Sequence, residues 1–160
     1  MDRLWAPWRL EYIQGPAEGG CIFCVKEDRL QDQARLIVAR GTSSFVIMNR
    51  YPYSNGHLMI SPYRHVSDFA ELEDHEILEV HHMMVRSQRV LHEVCAAQGF
   101  NVGWNFGKAA GAGIAEHIHM HIVPRWAGDS NFMPILADTR VIPQHIEKTY
   151  ELLVEAFPKY

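Results

Sequence analysis

The sequence predicts a single α+β domain, with a mainly antiparallel sheet of about five strands, one long helix and a C-terminal helix. Three observations support this fold class: short apolar runs bounded by turn residues, one long segment with helical periodicity, and a second such segment near the end of the chain. The 160 residues, 48% of them apolar, suffice for one core. We therefore expect one domain over 1–160, with an N-terminal arm at 1–20 and a C-terminal extension at 127–160.

Three short apolar strands are expected in the first half of the chain, at 36–39, 45–48 and 57–60. Gly41 begins the turn between the first two, and Asn55-Gly56 precedes the third, because this pair accommodates positive φ. Pro62 is expected to stop the third strand. Strands that lie so close together along the chain favour antiparallel pairing.

A long helix is expected over 73–98, where apolar residues recur at helical spacing behind an acidic first turn. Gly99 is the expected C-cap, because glycine adopts the left-handed conformation at little cost. A strand is expected next at 100–105, followed by a Gly/Ala loop at 107–113 and a second strand at 117–123. The chain then forms an amphipathic helix that is expected to stop at Pro158.

Composition argues against several classes of function. Charged residues make up 21% of the chain and the formal net charge is −4, which is unlike a disordered chain or a basic nucleic-acid binder. No run approaches the roughly 18 apolar residues of a membrane span, and the first residues do not resemble a signal peptide. We expect a cytoplasmic protein that binds neither nucleic acid nor membrane.

Three histidines alternate with apolar residues at His117, His119 and His121. Because side chains on a strand alternate between its faces, the three imidazoles are expected to share one face. The run fits an exposed polar face, or a three-histidine metal site whose third ligand in line usually lies too far away to complete a tetrahedron. It also fits catalysis, because a neutral imidazole is a good nucleophile and a tolerable leaving group near physiological pH.

The segment His117–Val123 resembles the signature of the histidine-triad superfamily. Further similar segments extend this resemblance over roughly 21–126; they are Asn49-Arg50-Tyr51-Pro52, Gly56-His57-Leu58-Met59-Ile60, Asn105-Phe106-Gly107 and Gly111-Ala112-Gly113. The flanks at 5–9 and 124–132 are most similar to the bacterial branch near the fragile-histidine-triad hydrolases and the diadenosine-tetraphosphate phosphorylases.

The resemblance implies roles for individual side chains. His119 would be the nucleophile that forms a nucleotidyl-histidine intermediate, and His121 would hydrogen-bond an α-phosphate oxygen. His57 would lie behind the triad and help set its proton arrangement. Asn49 would contact the nucleoside. The expected phosphate contacts come from the loop segments, at Asn105, Gly111, Gly113 and Ile114.

The phosphate loop departs from the family pattern. Family members often carry a polar or hydroxyl side chain where this chain has Ala112 and Gly113. Backbone N–H groups would therefore do more of the phosphate binding here, since a Gly-rich loop can form an anion-binding concavity. Lys108 is the other candidate.

Cys21 and Cys24 form a C-x-x-C pair that alone is compatible with a zinc knuckle, a redox pair or two ordinary thiols. A structural zinc needs two more ligands. The resemblance supplies them, because in related proteins, including the galactose-1-phosphate uridylyltransferases, they match His65 and the first triad histidine. The resemblance therefore implies a structural zinc at Cys21, Cys24, His65 and His117.

The family implies an enzyme that attacks the α-phosphorus of dinucleoside polyphosphates of the diadenosine tetraphosphate type, by hydrolysis or phosphorolysis. The alternatives are a phosphoramidase acting on AMP conjugates, a nucleotide-sensing binding module with incidental turnover, and a zinc-stabilised interaction domain. The family also implies a homodimer, with the helix at 73–98 and the strand at 100–105 near the interface.

Overall fold

A computed structural model describes residues 20–25, 29–129 and 145–159. These residues contain a five-stranded sheet in which every neighbouring pair is antiparallel, in the order β1-β2-β3-β5-β4. The strands are β1 Ile37–Arg40, β2 Ser44–Met48, β3 Leu58–Pro62, β4 Gly99–Trp104 and β5 Met120–Arg125. The predicted α+β class is confirmed. Residues 1–19 of the N-terminal arm, and residues 130–144 and 160 of the C-terminal extension, lie outside the described residues.

Within the described residues, three α-helices accompany the sheet: α1 Asp32–Arg35, α2 Asp74–Cys95 and α3 Ile146–Ala156. The long helix α2 packs on β2, β3 and β5, while α3 packs on β1 and α2. Short 3-10 turns occur at Phe69–Glu71, Lys108–Ala110 and Phe157–Lys159. No helix within the described ranges is long and apolar enough to cross a bilayer.

The two faces of the sheet carry different cores. Leu58, Ile60 and Ile122 belong to the main core beneath the helices. Because side chains alternate along a strand, Met59 points to the other face. There it joins a smaller cluster composed of Phe23, Ile37, Phe45, Ile47 and Met59. The helices thus cover one face of the sheet, and the segment around Phe23 packs on the opposite face.

Helix α2 begins as predicted but ends earlier. A capping box between Glu73 and Glu76 starts it, and it ends at Cys95 rather than at 98. Ala96 takes the left-handed conformation with φ 50°, so the prediction of Gly99 as the C-cap was wrong. Gly99 instead opens β4 and pairs with Arg125, because the chain has already turned into the sheet.

Three other predicted boundaries also shift. Strand β3 continues through Pro62, which pairs with Ser44 of β2, rather than stopping before it. Strand β5 starts at Met120 and not at 117, since the N–H of Ile118 donates to Val66 O instead of to a neighbouring strand. The α-helix α3 ends at Ala156, two residues before the predicted stop at Pro158, and a 3-10 turn at Phe157–Lys159 follows it.

Candidate active site and metal centre

The three triad histidines lie side by side on the sheet face opposite the helices. His121 is on β5, and His117 and His119 directly precede that strand. The rings of His119 and His121 are 4.9 Å apart between centroids, and the Phe23 ring contacts both His117 and His119. The extended course of the chain through 117–121 therefore keeps the three imidazoles on one face, although hydrogen-bonded pairing with the neighbouring strands begins only at Met120.

His119 is held in one tautomer by the backbone. Its Nδ1 lies 2.9 Å from the carbonyl oxygen of His117, and a carbonyl can only accept, so Nδ1 carries the proton. In the neutral ring the lone pair is then on Nε2. Burial lowers the pKa of His119 below its usual range. The ring is thus kept neutral, with one nitrogen available as a nucleophile.

His121 is held by a different device, a chain of hydrogen bonds that begins at a backbone amide. The N–H of Tyr53 donates to Nδ1 of His57 at 3.1 Å, so His57 must carry its proton on Nε2. That Nε2 lies 3.0 Å from Nδ1 of His121 and donates to it. The neutral His121 ring therefore carries its own proton on Nε2. The Tyr53 ring stacks on His57 at 5.0 Å.

Asn49 belongs to the same arrangement. Its Oδ1 accepts from the N–H of Tyr51 at 2.9 Å, which fixes which end of the amide is oxygen. Its Nδ2 then lies 3.3 Å from Nδ1 of His57 and can donate to it. The side chain predicted to contact the nucleoside thus also supports the histidine behind the triad.

A cavity of about 450 Å³ opens beside the triad, a size typical of small-molecule sites. His119 and His121 line it together with Gly111, Gly113 and Asn49. The remaining lining residues are apolar, small or basic: Gly20, Cys21, Ile22, Phe23, Ala34, Arg35, Ile47, Met48, Arg50, Tyr51 and Met59. None of the described lining residues is an aspartate or glutamate, so the cavity suits an anionic ligand with an apolar part.

Not every predicted site residue lines this cavity. His57 is buried behind His121 and donates a hydrogen bond to it. Ile114 packs against the small core cluster that contains Phe23. Asn105 follows β4 directly, is half-buried and is absent from the cavity lining. The structure therefore brings Asn49, Gly111 and Gly113 together with the triad, and leaves Asn105 and Ile114 outside the cavity wall.

In the predicted phosphate loop, some backbone N–H groups are already bonded to carbonyl oxygens of the loop itself. Gly111 has φ 86°, a left-handed conformation that favours glycine, and its N–H donates to Lys108 O at 3.0 Å. The N–H of Ala112 lies 3.4 Å from Gly107 O. Gly113 also lines the cavity, and its N–H is a candidate donor to a ligand there.

The four predicted metal ligands converge. The ligand atoms of Cys21, Cys24, His65 and His117 all lie within 4.8 Å of one another. Nδ1 of His117 is 3.3 Å from Cys21 Sγ and 3.8 Å from Cys24 Sγ, and Nδ1 of His65 is 3.2 Å from Cys24 Sγ. A tetrahedral zinc with bonds of about 2.0–2.3 Å sets its ligand atoms about 3.3–3.8 Å apart. Three of the six ligand-atom pairs are separated by 3.2–3.8 Å, close to this range, and all six lie within 4.8 Å.

The tautomer of His117 also fits a metal. Its Nε2 lies 2.9 Å from Pro62 O and donates to it, so the Nδ1 lone pair faces the two sulfurs. A ring N–H held by a carbonyl is the usual support of a metal-binding histidine. Burial lowers the pKa of His117 to about 4, which keeps the ring neutral as a ligand must be.

Sequence reasoning missed the residues that hold His65 and His119. Arg64 donates from Nε to Glu76 at 2.9 Å and from Nη2 to Glu71 O at 2.7 Å, which ties the His65 segment to the start of α2. Phe23, whose ring packs against His119, lies inside the C-x-x-C motif. Its place inside that motif is the feature of the sequence that could have drawn attention to Phe23. Nothing in the sequence marks the Arg64–Glu76 pair.

Comparison with known proteins gives a consistent result. A family model described as HIT domain matches residues 31–128. The AP-4-A phosphorylase of Mycobacterium tuberculosis is 40% identical across 96% of this chain and 83% of that protein. An asymmetrical bis(5'-nucleosyl)-tetraphosphatase of Schizosaccharomyces pombe is 30% identical across 54% of this chain and 47% of that protein. A Zn-bound histidine triad family protein from Mycobacterium smegmatis superposes with a TM-score of 0.67 at 25% identity, covering 88% of this chain and 94% of that one.

Proposed function

The chain belongs to the HIT domain family, and from this membership we propose that it is an enzyme that cleaves dinucleoside polyphosphates at the α-phosphorus. The observation that carries the proposal is the fixed tautomer of His119, which leaves the lone pair on Nε2 of a residue that lines a cavity of about 450 Å³ without carboxylates in its described lining. The names of two relatives, a phosphorylase and a tetraphosphatase, support the same substrate class.

In the first step, Nε2 of His119 attacks the α-phosphorus and forms a P–N bond. The P–O bond to the bridging oxygen breaks, and the remaining nucleoside polyphosphate leaves with the electron pair. In the second step an acceptor oxygen attacks the same phosphorus, the P–N bond breaks, and the nucleotide is released as His119 recovers its lone pair. Such a covalent intermediate divides one difficult transfer into two easier ones.

Charge that develops on the phosphate oxygens needs donors in place before the reaction. We assign one to Nε2–H of His121, whose proton position follows from the hydrogen bond with His57. The N–H of Gly113 would be the second, since Gly111 and Ala112 use theirs within the loop. Arg35 and Arg50 line the same cavity and favour an anionic ligand.

We propose inorganic phosphate as the acceptor. A water molecule needs a base to remove its proton, and none of the described lining residues offers a carboxylate for that role. Phosphate is already an anion at neutral pH and requires no such base. The similarity to the Mycobacterium tuberculosis phosphorylase supports this choice over water.

We further propose a zinc ion at Cys21, Cys24, His65 and His117, which would join the N-terminal segment to the sheet. The Zn-bound Mycobacterium smegmatis structure supports it. The proposed location is the cytoplasm, where thiols stay reduced, and none of the three cysteines is in a disulfide.

A homodimer through β4 and α2 is also proposed. Among the described residues β4 is an edge strand of the sheet, and exposed edges tend to be covered. Val102 on this strand and the nearby Phe106 are 39% and 48% exposed, which is high for apolar side chains. Light scattering of the purified protein would measure the oligomeric state, and a monomer at micromolar concentration would contradict the proposal.

Product analysis tests the activity. Diadenosine tetraphosphate is incubated with the enzyme, with and without inorganic phosphate, beside His119→Ala and the matched control His82→Ala, which alters an exposed helical histidine. We expect ADP and ATP only when phosphate is present, unchanged in the control and lost in His119→Ala. AMP and ATP without phosphate would mean a hydrolase. Equal inertness of wild type and His119→Ala would exclude these substrates and turn attention to AMP phosphoramidates.

A further inference from the structure

Phe23 links the metal centre to the nucleophile. It is the residue directly before Cys24 in the C-x-x-C motif, and it is 1% exposed. Its ring stacks on His119, with centroids 4.4 Å apart and planes at 29°. It also contacts the ring of His117 at 5.5 Å and 56°. One aromatic side chain therefore touches both the expected nucleophile and a metal ligand.

The segment that carries Phe23 is not part of the sheet. Its backbone hydrogen bonds are local, from Cys24 N–H to Cys21 O and from Val25 N–H to Phe23 O. Its polar contacts with the rest of the described molecule run through the two cysteines, to His117 and His65. Two things therefore hold the Phe23 ring on the sheet: its packing in the small apolar cluster, and the sulfur and imidazole ligands that anchor the cysteines on either side of its segment.

We propose that Phe23 is a positioning residue for His119, and that the metal centre contributes to catalysis by holding this ring against the nucleophile. The inference rests on the proposed function for the role of His119 and on the proposed zinc for the anchor. It gives the metal centre a task beyond stabilising the fold, without any contact between metal and substrate.

The physical reason lies in how His119 is held. A single hydrogen bond from Nδ1 to His117 O fixes one edge of the imidazole but still allows the ring to swing about that bond. A flat aromatic face stacked at 4.4 Å removes this freedom and directs Nε2 toward the cavity. Displacing a reacting atom by about 1 Å can cost about a hundredfold in rate.

Two substitutions of Phe23 separate this role from that of a simple cavity wall. Phe23→Leu keeps an apolar side chain but removes the planar face, and Phe23→Tyr keeps the face. We expect Phe23→Leu to lower kcat about 10- to 100-fold with KM changed less than about threefold, and Phe23→Tyr to retain kcat within about threefold. Phe45→Leu is the matched control, because Phe45 is buried in the same cluster but stacks on Tyr63. It should leave kcat unchanged.

A second readout uses the ligand-free protein and does not depend on turnover. The ring current of Phe23 should shift the carbon-bound imidazole protons of His119 upfield in the proton NMR spectrum. We expect this shift to persist in Phe45→Leu and Phe23→Tyr, and to disappear in Phe23→Leu. It should also disappear in the wild type when a chelator removes the zinc, an arm that remains decisive if Phe23→Leu fails to fold.

Three outcomes would overturn the inference: an unchanged His119 shift in Phe23→Leu, a shift that survives zinc removal, or a raised KM with unchanged kcat in Phe23→Leu. These differ from failure of the proposed function, which appears as turnover that survives His119→Ala. They also differ from failure of the proposed zinc, which appears as purified wild-type protein with well under one zinc per chain.

Discussion

His117 and His121, the two histidines that flank His119, are held by hydrogen bonds of opposite direction. On one side, His117 donates from Nε2 to Pro62 O and turns Nδ1 toward two cysteine sulfurs. On the other side, His121 accepts at Nδ1 from His57 and keeps its proton on Nε2. One histidine thus presents a lone pair for a metal, while the other presents an N–H for an anion.

The difference shows that the spacing of the triad places the rings but does not assign their chemistry. Each tautomer follows from a neighbour that can only donate or only accept: a carbonyl at His117 and His119, and the N–H of Tyr53 at the far end of the His57–His121 pair. The flank at His117 is expected to govern stability and metal content. The flank at His121 is expected to govern turnover.

The largest effect is expected from a substitution in the ligand cluster around His117. Cys24→Ser removes one of four ligands and should lower zinc content well below one per chain, with a fall in the melting temperature of about 10 °C, because metal binding and folding are coupled. Zinc analysis and thermal unfolding measure both. The matched control is Cys95→Ser, which alters a half-buried cysteine outside the cluster. Full zinc content in Cys24→Ser would contradict the assigned ligand set.

The next largest effect is expected from a substitution that disturbs His121 and leaves the ligand cluster around His117 intact. His57→Ala removes the donor to His121 Nδ1, so we expect kcat to fall about 10- to 100-fold while zinc content stays at one per chain. His57→Gln retains an N–H donor at the end of its side chain and should recover part of the loss. Steady-state kinetics and metal analysis on the same preparations check this. Loss of zinc in His57→Ala would show that the flanks are not independent.

A smaller effect is expected on the pH dependence of stability, through the Arg64–Glu76 pair beside His65. The hydrogen bond from Arg64 holds the pKa of Glu76 at about 2, below its usual value near 4.5, and this pair braces the His65 segment. A lowered folded-state pKa gives stability that is complete above about pH 4.5 and is lost as the pH falls toward 2. Glu76→Gln should therefore be less stable than wild type at pH 7 and lose less of its stability between pH 5 and pH 3.

Urea unfolding at several pH values measures this difference. The matched control is Glu147→Gln, an exposed residue in the first turn of α3, which should follow the wild-type profile. An acid profile of Glu76→Gln that parallels the wild type would mean that the Arg64–Glu76 pair does not contribute to acid sensitivity.

The fold was largely predictable because its signals are local. Apolar runs between turn residues located β1 to β3, and helical periodicity located α2. The errors occurred where tertiary contacts override local preference. Ala96 adopts a left-handed conformation that glycine would be expected to take. The N–H of Ile118 donates to Val66 O, in the loop after β3, before the chain enters the sheet at Met120.

The site was predictable only in part, for a different reason. Family resemblance named the four residues that converge at the metal centre, and the C-x-x-C motif marked two of them. It could not reveal which ring nitrogen carries each proton, since this depends on Tyr53, Pro62 and other residues distant along the chain. Nor could it reveal that Phe23 stacks on His119, because nothing in the spacing of the cysteines fixes the direction of the residue between them.

The central claim, that His119 forms a covalent bond with the nucleotide, is tested most directly by rapid quenching and mass spectrometry. Enzyme is mixed with excess diadenosine tetraphosphate in the absence of phosphate, quenched in alkali because a phosphoramidate is labile in acid, and analysed intact and after digestion. The account predicts a mass increase of one adenylyl group, located on His119 and absent from His119→Ala. An enzyme that turns over while carrying no adduct, or one that carries it on another residue, would contradict the account.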